Sequence, residues 1–209
     1  MNILAIDTTG SDEIIALHLD DKDYVVCSKG VHHSEDLLTN VQTLLKKAHI
    51  TLNDIDIFGC VSGPGSFTGI RIGLTTIKAF AYALNKRVVN ISKFDVLKSA
   101  YSGFVVLKCT KTSVYYANIA KTIKYGVCDI SKLNEIIGFD KSIAVLEGEQ
   151  IDLPKSYNNV VTIAGYKDLV LKTMVDAAKA GKTITSNQMT PLYIQISQAE
   201  RNLKEGKHD

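Results

Sequence analysis

Residues 61–73 read Val-Ser-Gly-Pro-Gly-Ser-Phe-Thr-Gly-Ile-Arg-Ile-Gly, and their types and spacing carry the chain's clearest chemical signal. A strand-like apolar run over 55–61 enters this stretch, and a helix-like run to residue 84 leaves it. A Gly-Pro-Gly turn placed there presents backbone N–H groups at a helix N-terminus, where phosphates and other anions are held. Gly63, Gly65 and Ser66 would form that cradle. The Lys-Ser/Thr that completes a P-loop is missing, so P-loop chemistry is excluded. Asp7, Thr8 and Thr9 form a second polar turn, whose side chains can bond local backbone groups. His32, His33 and Glu35 suggest a metal site, but a lone His-His step ahead of a helix is more simply a solvated or hydrogen-bonded pair.

The elements that must position these residues follow from periodicity and turn signals. Residues 2–8, 13–19 and 23–28 read as three strands separated by Gly10-Ser11-Asp12 and Asp20-Asp21-Lys22. Ser34 caps a helix running to about residue 48, with Leu37, Leu38, Val41, Leu44, Leu45 and Ala48 as its apolar stripe. Then come the strand at 55–61, the helix at 67–84 and a strand at 87–91. The second half repeats the rhythm more weakly: strands at 104–109, 114–120 and 123–128, a short helix at 131–137, strands at 142–146 and 160–164, and a helix at 166–180 ended by Gly181. Residues 200–209 form a polar tail expected to fray.

Two stripes on the helix at 67–84 are apolar. Ile70, Leu74, Ile77, Ala81 and Leu84 should face the core. Gly69, Ile72, Gly73, Thr76 and Phe80 form the other. A surface helix needs one such stripe, so two imply a further partner. Each interior glycine costs about 1 kcal/mol relative to alanine, so keeping two implies a close backbone approach. That approach could be to the helix ending at residue 48 or to another chain.

Composition narrows the class. The chain has 209 residues, 45% hydrophobic and 22% charged, with net charge +2. That is an ordinary globular balance, and it does not announce nucleic-acid binding. No run reaches about 18 apolar residues, and the first ten residues are not a secretory signal. Cys27, Cys60, Cys109 and Cys128 form no C-x-x-C pair, so reduced, buried thiols in a cytoplasmic protein are expected.

Three strands, a helix, a strand and a helix, done twice, resembles the plan of the actin-like ATPase superfamily. The expected fold is α/β, with two βββαβα lobes, the second reduced: residues 1–100 form the first lobe with its interface helices, 101–199 the second. In that superfamily the first hairpin faces nucleotide phosphates, a place occupied here by Asp7-Thr8-Thr9-Gly10. The second-lobe hairpin offers Lys108, Thr110, Lys111 and Thr112 and no acidic partner. This makes Asp7, Thr8, Thr9, Gly63, Gly65 and Ser66 a vestigial phosphate site.

Residues 62–73 look more specifically like the central motif of the TsaB (YeaZ) family of tRNA-modification proteins. Residues 3–9, His33-Ser34-Glu35 with Leu37-Leu38, and Pro191-Leu192-Tyr193 agree in order. Two departures are clear. Cys109-Thr110-Lys111-Thr112-Ser113 replaces the family's Asp-Ala-Arg stretch, and Ile194-Gln195 replaces Leu-Arg. The resemblance implies a role in making N6-threonylcarbamoyladenosine at position 37 of tRNAs reading ANN codons. It implies a non-catalytic scaffold for a TsaD-like transferase, joined by a TsaE-like ATPase, homodimeric when alone and meeting tRNA only through the complex. The catalytic relatives carry a His-x-x-x-His pair after the strand matching 87–91. Asn90-Ile91-Ser92-Lys93-Phe94-Asp95 has none. No catalytic residue, metal or cofactor is therefore assigned. Leu37, Val41, Gly69, Arg71, Ile72, Gly73 and Thr76 would form the partner surface. A small ATP-dependent kinase or ATPase is the rival reading; a metalloprotease-like role conflicts with the histidine pattern.

Overall fold

The computed structural model describes residues 1–20, 22–29, 33–138 and 141–195, with no side-chain description for 33–35. The polar tail at 200–209 and His32 lie outside the described residues.

The first half builds β1 (Asn2–Asp7), β2 (Asp12–Leu19), β3 (Lys22–Lys29), α1 (His33–Lys47), β4 (Ile57–Val61), α2 (Phe67–Ala83), β5 (Arg87–Ile91) and α3 (Lys93–Lys98). Its five strands order as β3-β2-β1-β4-β5. β1 pairs antiparallel with β2 and parallel with β4. Because strand side chains alternate, Leu4 and Ile6 enter the core beneath α1 and α2, while Ile3 and Ala5 face the opposite side. Burial on both faces explains why β1 reads as an unbroken apolar run.

The second half builds β6 (Phe104–Lys108), β7 (Ser113–Asn118), β8 (Lys124–Asp129), α4 (Leu133–Ile137), β9 (Ile143–Leu146), β10 (Val160–Ile163) and α5 (Tyr166–Lys179). Read from its other edge, this sheet runs β8-β7-β6-β9-β10, the same order and the same sense of pairing as the first. The lobes differ in one crossover. A 17-residue helix, α2, covers the link from β4 to β5, whereas residues 147–159 link β9 to β10 without a helix. Tyr157 from that link fills the apolar face beside Leu133 and Ile137 of α4.

α5 follows the second sheet in sequence but packs on the first. Val170, Leu171, Met174, Val175 and Ala178 join Ile3, Ala5 and Ala16 in one cluster. Register places Ala16, Ala5 and Gly59 side by side across β2, β1 and β4. A Cβ on Gly59 would come within 2.9 Å of Met174 Sδ, so this row of small residues is what admits α5. Phe94 and Leu97 of α3, with Tyr166 and Leu169 of α5, pack on the second sheet. α3 and α5 thus form the layer between the sheets.

The sequence did not reveal α3. Its capping box is textually plain: the Ser92 hydroxyl accepts the Asp95 N–H at 3.1 Å, and the Asp95 carboxylate accepts the Ser92 N–H at 2.8 Å. The expectation of four buried thiols also needs correction, because Cys27 on the edge strand β3 is exposed; Cys60 is buried, and the other two are half-buried.

Candidate functional site: the cleft between the lobes

Between the two sheets lies a cleft of about 800 Å³. Its first-lobe wall is the β1–β2 turn (Thr9, Gly10, Ser11), the start of α2 (Ser66, Phe67) and Lys93. Its second-lobe wall is the β6–β7 turn (Lys108, Cys109, Thr110) with Gly148, Glu149 and Gln150. The segment Leu192–Gln195 closes one side.

The two first-lobe turns are clamped together. The Ser66 N–H donates to the Thr9 carbonyl at 2.8 Å, and a Cβ on Gly65 would overlap that same carbonyl. The Thr8 hydroxyl donates to the Gly69 carbonyl at 2.7 Å. A Cβ on Gly69 would overlap the Thr8 carbonyl oxygen, and one on Gly73 would sit 2.5 Å from Thr8 Oγ1. The glycines of α2 therefore receive the β1–β2 turn of their own chain. This corrects the reading of Gly69 and Gly73 as partner-facing, and also the alternative that they admit α1. Leu37 and Val41 need the same correction: both are turned into the first-lobe core. Of the seven predicted partner residues, Arg71 is exposed and Ile72 and Thr76 are half-exposed. Leu38, 55% exposed on α1, and Tyr82, 75% exposed on α2, are the large apolar groups that these helices present to solvent.

Asp7 is 2% exposed and both its oxygens are engaged. Oδ1 accepts the Thr9 N–H at 2.8 Å and the Thr9 hydroxyl at 2.5 Å. Oδ2 accepts the Tyr166 hydroxyl at 2.8 Å, a bond from the first strand to the first residue of α5. Burial pushes the Tyr166 phenol well above its ordinary value, and the neighbouring Asp7 charge adds to the shift. The tyrosine stays a donor. Of the six residues read as a vestigial phosphate site, Thr9, Gly65 and Ser66 line the cleft. Asp7, Thr8 and Gly63 do not; they are buried behind it, where loop packing consumes them.

Sequence reasoning missed two cleft residues, Lys93 and Glu149, and one residue packed behind the cleft, Tyr166. Lys93 is 6% exposed, an unusual position for an ammonium. Burial raises the Glu149 carboxyl, opposed by a 2.7 Å bond from the Lys108 N–H and by the Lys93 and Lys108 charges. Tyr166 was visible only as a helix start. The Pro191-Leu192-Tyr193 motif earns its place here too: Tyr193 stacks on Phe67 at 4.5 Å, and Arg71 lies 4.0 Å over the other aromatic partner, Phe67, while its Nε donates to Tyr193 Oη at 3.2 Å. Among the described residues, no group of three or more His, Cys, Asp or Glu could hold a metal, and no helix is long and apolar enough to cross a membrane.

Two lobes of shared topology facing a cleft, with an acidic first turn, define a protein of the actin-like ATPase fold. Comparisons with known proteins agree. The family described as "TsaD: tRNA N6-adenosine threonylcarbamoyltransferase" matches residues 27–202. The tRNA threonylcarbamoyladenosine biosynthesis protein TsaB of Buchnera aphidicola is 28% identical over 95% of this chain and 98% of its own length. The Bacillus subtilis protein of the same name is 34% identical over 46% of this chain and 43% of its own length, so that match spans under half of the relative. The solved structure of YeaZ from Pseudomonas aeruginosa superposes with a TM-score of 0.74 at 21% identity, covering 92% of this chain and 99% of that one. The chain belongs to this threonylcarbamoyltransferase-related family, on its TsaB (YeaZ) branch.

Proposed function

We propose that this chain is the non-catalytic partner of a TsaD-type catalytic homologue in forming N6-threonylcarbamoyladenosine at position 37 of tRNAs that read ANN codons. The observation carrying the non-catalytic part is the state of Asp7. Both oxygens of Asp7 are engaged by Thr9 and Tyr166, and the residue is buried behind the turn rather than lining the cleft. A kinase or ATPase would need that carboxylate for its metal-phosphate.

The docking surface in this reading is the outer side of α1 and α2, with Leu38 and Tyr82 as anchors and Arg71, Ile72 and Thr76 around them. Alone, the chain would pair with a second copy through the same surface. A TsaE-like ATPase would join the assembled pair, and tRNA would be met only there.

The test is size-exclusion chromatography with light scattering on the chain, the catalytic homologue from the same genome, and their mixture. A one-to-one complex should form at micromolar concentration. Leu38→Asp with Tyr82→Asp should weaken it by about 30-fold or more while leaving the circular dichroism unchanged. Independent elution of the two proteins would overturn the proposal, and ATP turnover by the chain alone would favour the kinase reading.

A further inference from the structure

We infer that the end of the second lobe away from the cleft, around the β7–β8 turn, is a contact surface for the phosphate backbone and one unpaired base of an RNA. The inference rests on the proposed function only for the choice of RNA; the surface itself is defined by this chain's residues.

Charge is segregated along the sequence. Residues 96–128 hold five lysines and no aspartate or glutamate. Because the whole chain is +2, everything outside that stretch is net −3. The sheet then sorts the five lysines by position. β6 runs from Phe104 to Lys108, so Lys108, and Lys111 in the turn after it, stand at the cleft end. Asn118 pairs with both Phe104 and Lys124, which places the β7–β8 turn, with Lys121 and Lys124, at the opposite end. Lys98, in the last turn of α3, joins them there, because its ammonium donates to the Lys121 carbonyl. All three are exposed. Like charges gather here with solvent in front of them, a field that attracts a polyanion.

Tyr125, the next residue along β8, adds an aromatic platform. Its ring stacks on Phe94 with 5.7 Å between centroids and 19° between planes. Phe94 is fully buried, whereas Tyr125 is 47% exposed, so the core backs the tyrosine and solvent covers much of the rest. A backed, open ring beside cations is how unpaired nucleic acid is held: a base stacks on the ring and phosphates meet the ammonium groups. The acids nearest in sequence do not cancel this charge. Asp95 is tied into the N-terminal cap of α3 by Ser92, and Asp129 ends β8 at the cleft end. An acidic peptide would meet the same lysines and leave Tyr125 unused, so RNA fits the surface better. With three phosphate contacts, affinity falls roughly 10-fold between about 50 and 150 mM salt. The surface therefore holds RNA weakly by itself and would add to the partner's contacts in the assembled pair.

The experiment titrates the full chain into a fluorescein-labelled anticodon stem–loop RNA of a tRNA reading ANN codons, at about 50 mM salt, following anisotropy. A saturable curve is expected, with a log–log salt slope of about −2. Lys121→Gln with Lys124→Gln should raise the dissociation constant about 10-fold and flatten that slope to about −0.7. Lys132→Gln with Lys155→Gln makes the same charge change beside Leu133 and Tyr157, on the opposite face of the sheet, and should shift the constant by less than about 2-fold. Tyr125→Ala should weaken binding about 5-fold or more, and Tyr125→Phe should keep it. Equal losses in the two lysine pairs, or no saturation by the wild-type chain, would overturn the proposal. So would a Tyr125→Ala chain that binds RNA as tightly as wild type; polyglutamate binding equally well would then mark an acidic-peptide surface. Should Tyr125→Ala fail to fold, the exposed lysine pair decides. The catalytic homologue is absent from this titration, so a failure of the two proteins to dock leaves its result standing.

Discussion

Replacing a helical glycine with alanine normally stabilises a protein by about 1 kcal/mol. Gly69→Ala should do the opposite. The new Cβ would overlap the Thr8 carbonyl oxygen and lie 3.1 Å from the Thr8 carbonyl carbon and 3.3 Å from Ser66 Cβ. Relief by withdrawing the β1–β2 turn is blocked, because Thr8 donates to the Gly69 carbonyl and Thr9 accepts the Ser66 N–H. Overpacking of this kind costs about 1–3 kcal/mol, and a strained or broken buried hydrogen bond about 1 more. Set against the propensity gain, the net loss is about 1–3 kcal/mol. For a chain of 209 residues that lowers Tm by about 2–12 °C. The chain has no tryptophan, so far-ultraviolet circular dichroism in a urea series is the practical assay. An isolated Gly69→Ala chain as stable as wild type, or more so, would refute the argument. It would mean that the glycine face is open in the free chain and kept for a partner. Gly73→Ala, facing a side-chain oxygen at 2.5 Å rather than backbone, should move the same way by less.

Two further outcomes follow from the cleft. Tyr166→Phe removes the hydroxyl donor to the buried Asp7 side chain and should cost about 1–3 kcal/mol, measured by urea unfolding; a change under about 0.5 kcal/mol would show that water or a neighbour replaces it. The Glu149 carboxyl is raised by burial, so the folded state holds its proton to higher pH than the unfolded chain does. Stability from this group is therefore full below the ordinary carboxylate value and falls as pH rises through the raised one. Glu149→Gln, which keeps an acceptor for the Lys108 N–H, should stabilise the protein at neutral pH and not in acid; equal effects at both would show that the carboxyl titrates normally.

Much of the architecture was legible because it is local. The short apolar runs of β1 and β2 between turn signals, the 3.6-residue stripe of α2 and the Gly181 stop after α5 state their own geometry, since each depends on residues within a few positions. The inner stripe Ile70, Leu74, Ile77 and Ala81 is buried as its spacing requires. The second lobe was visible as rhythm, and its missing crossover helix as a gap between two short strands. α3 escaped because six residues are too few for a periodic signal, although its capping box was there to read.

What each surface faces was decided by the tertiary structure. The spacing of Gly69 and Gly73 requires a close approach, yet whether to α1, another chain or the Thr8 turn depends on how β1 and α2 cross on the sheet. Leu37 and Leu38 are adjacent and equally apolar, but the core takes one and solvent the other because the helix turns 100° per residue over a sheet whose position the local pattern does not contain. Tyr166 reaches Asp7 across 159 residues, and Lys93 is buried in a cleft whose walls come from both lobes. Strand order and register bring such groups together, and these are set by long-range pairing that no short window of sequence encodes.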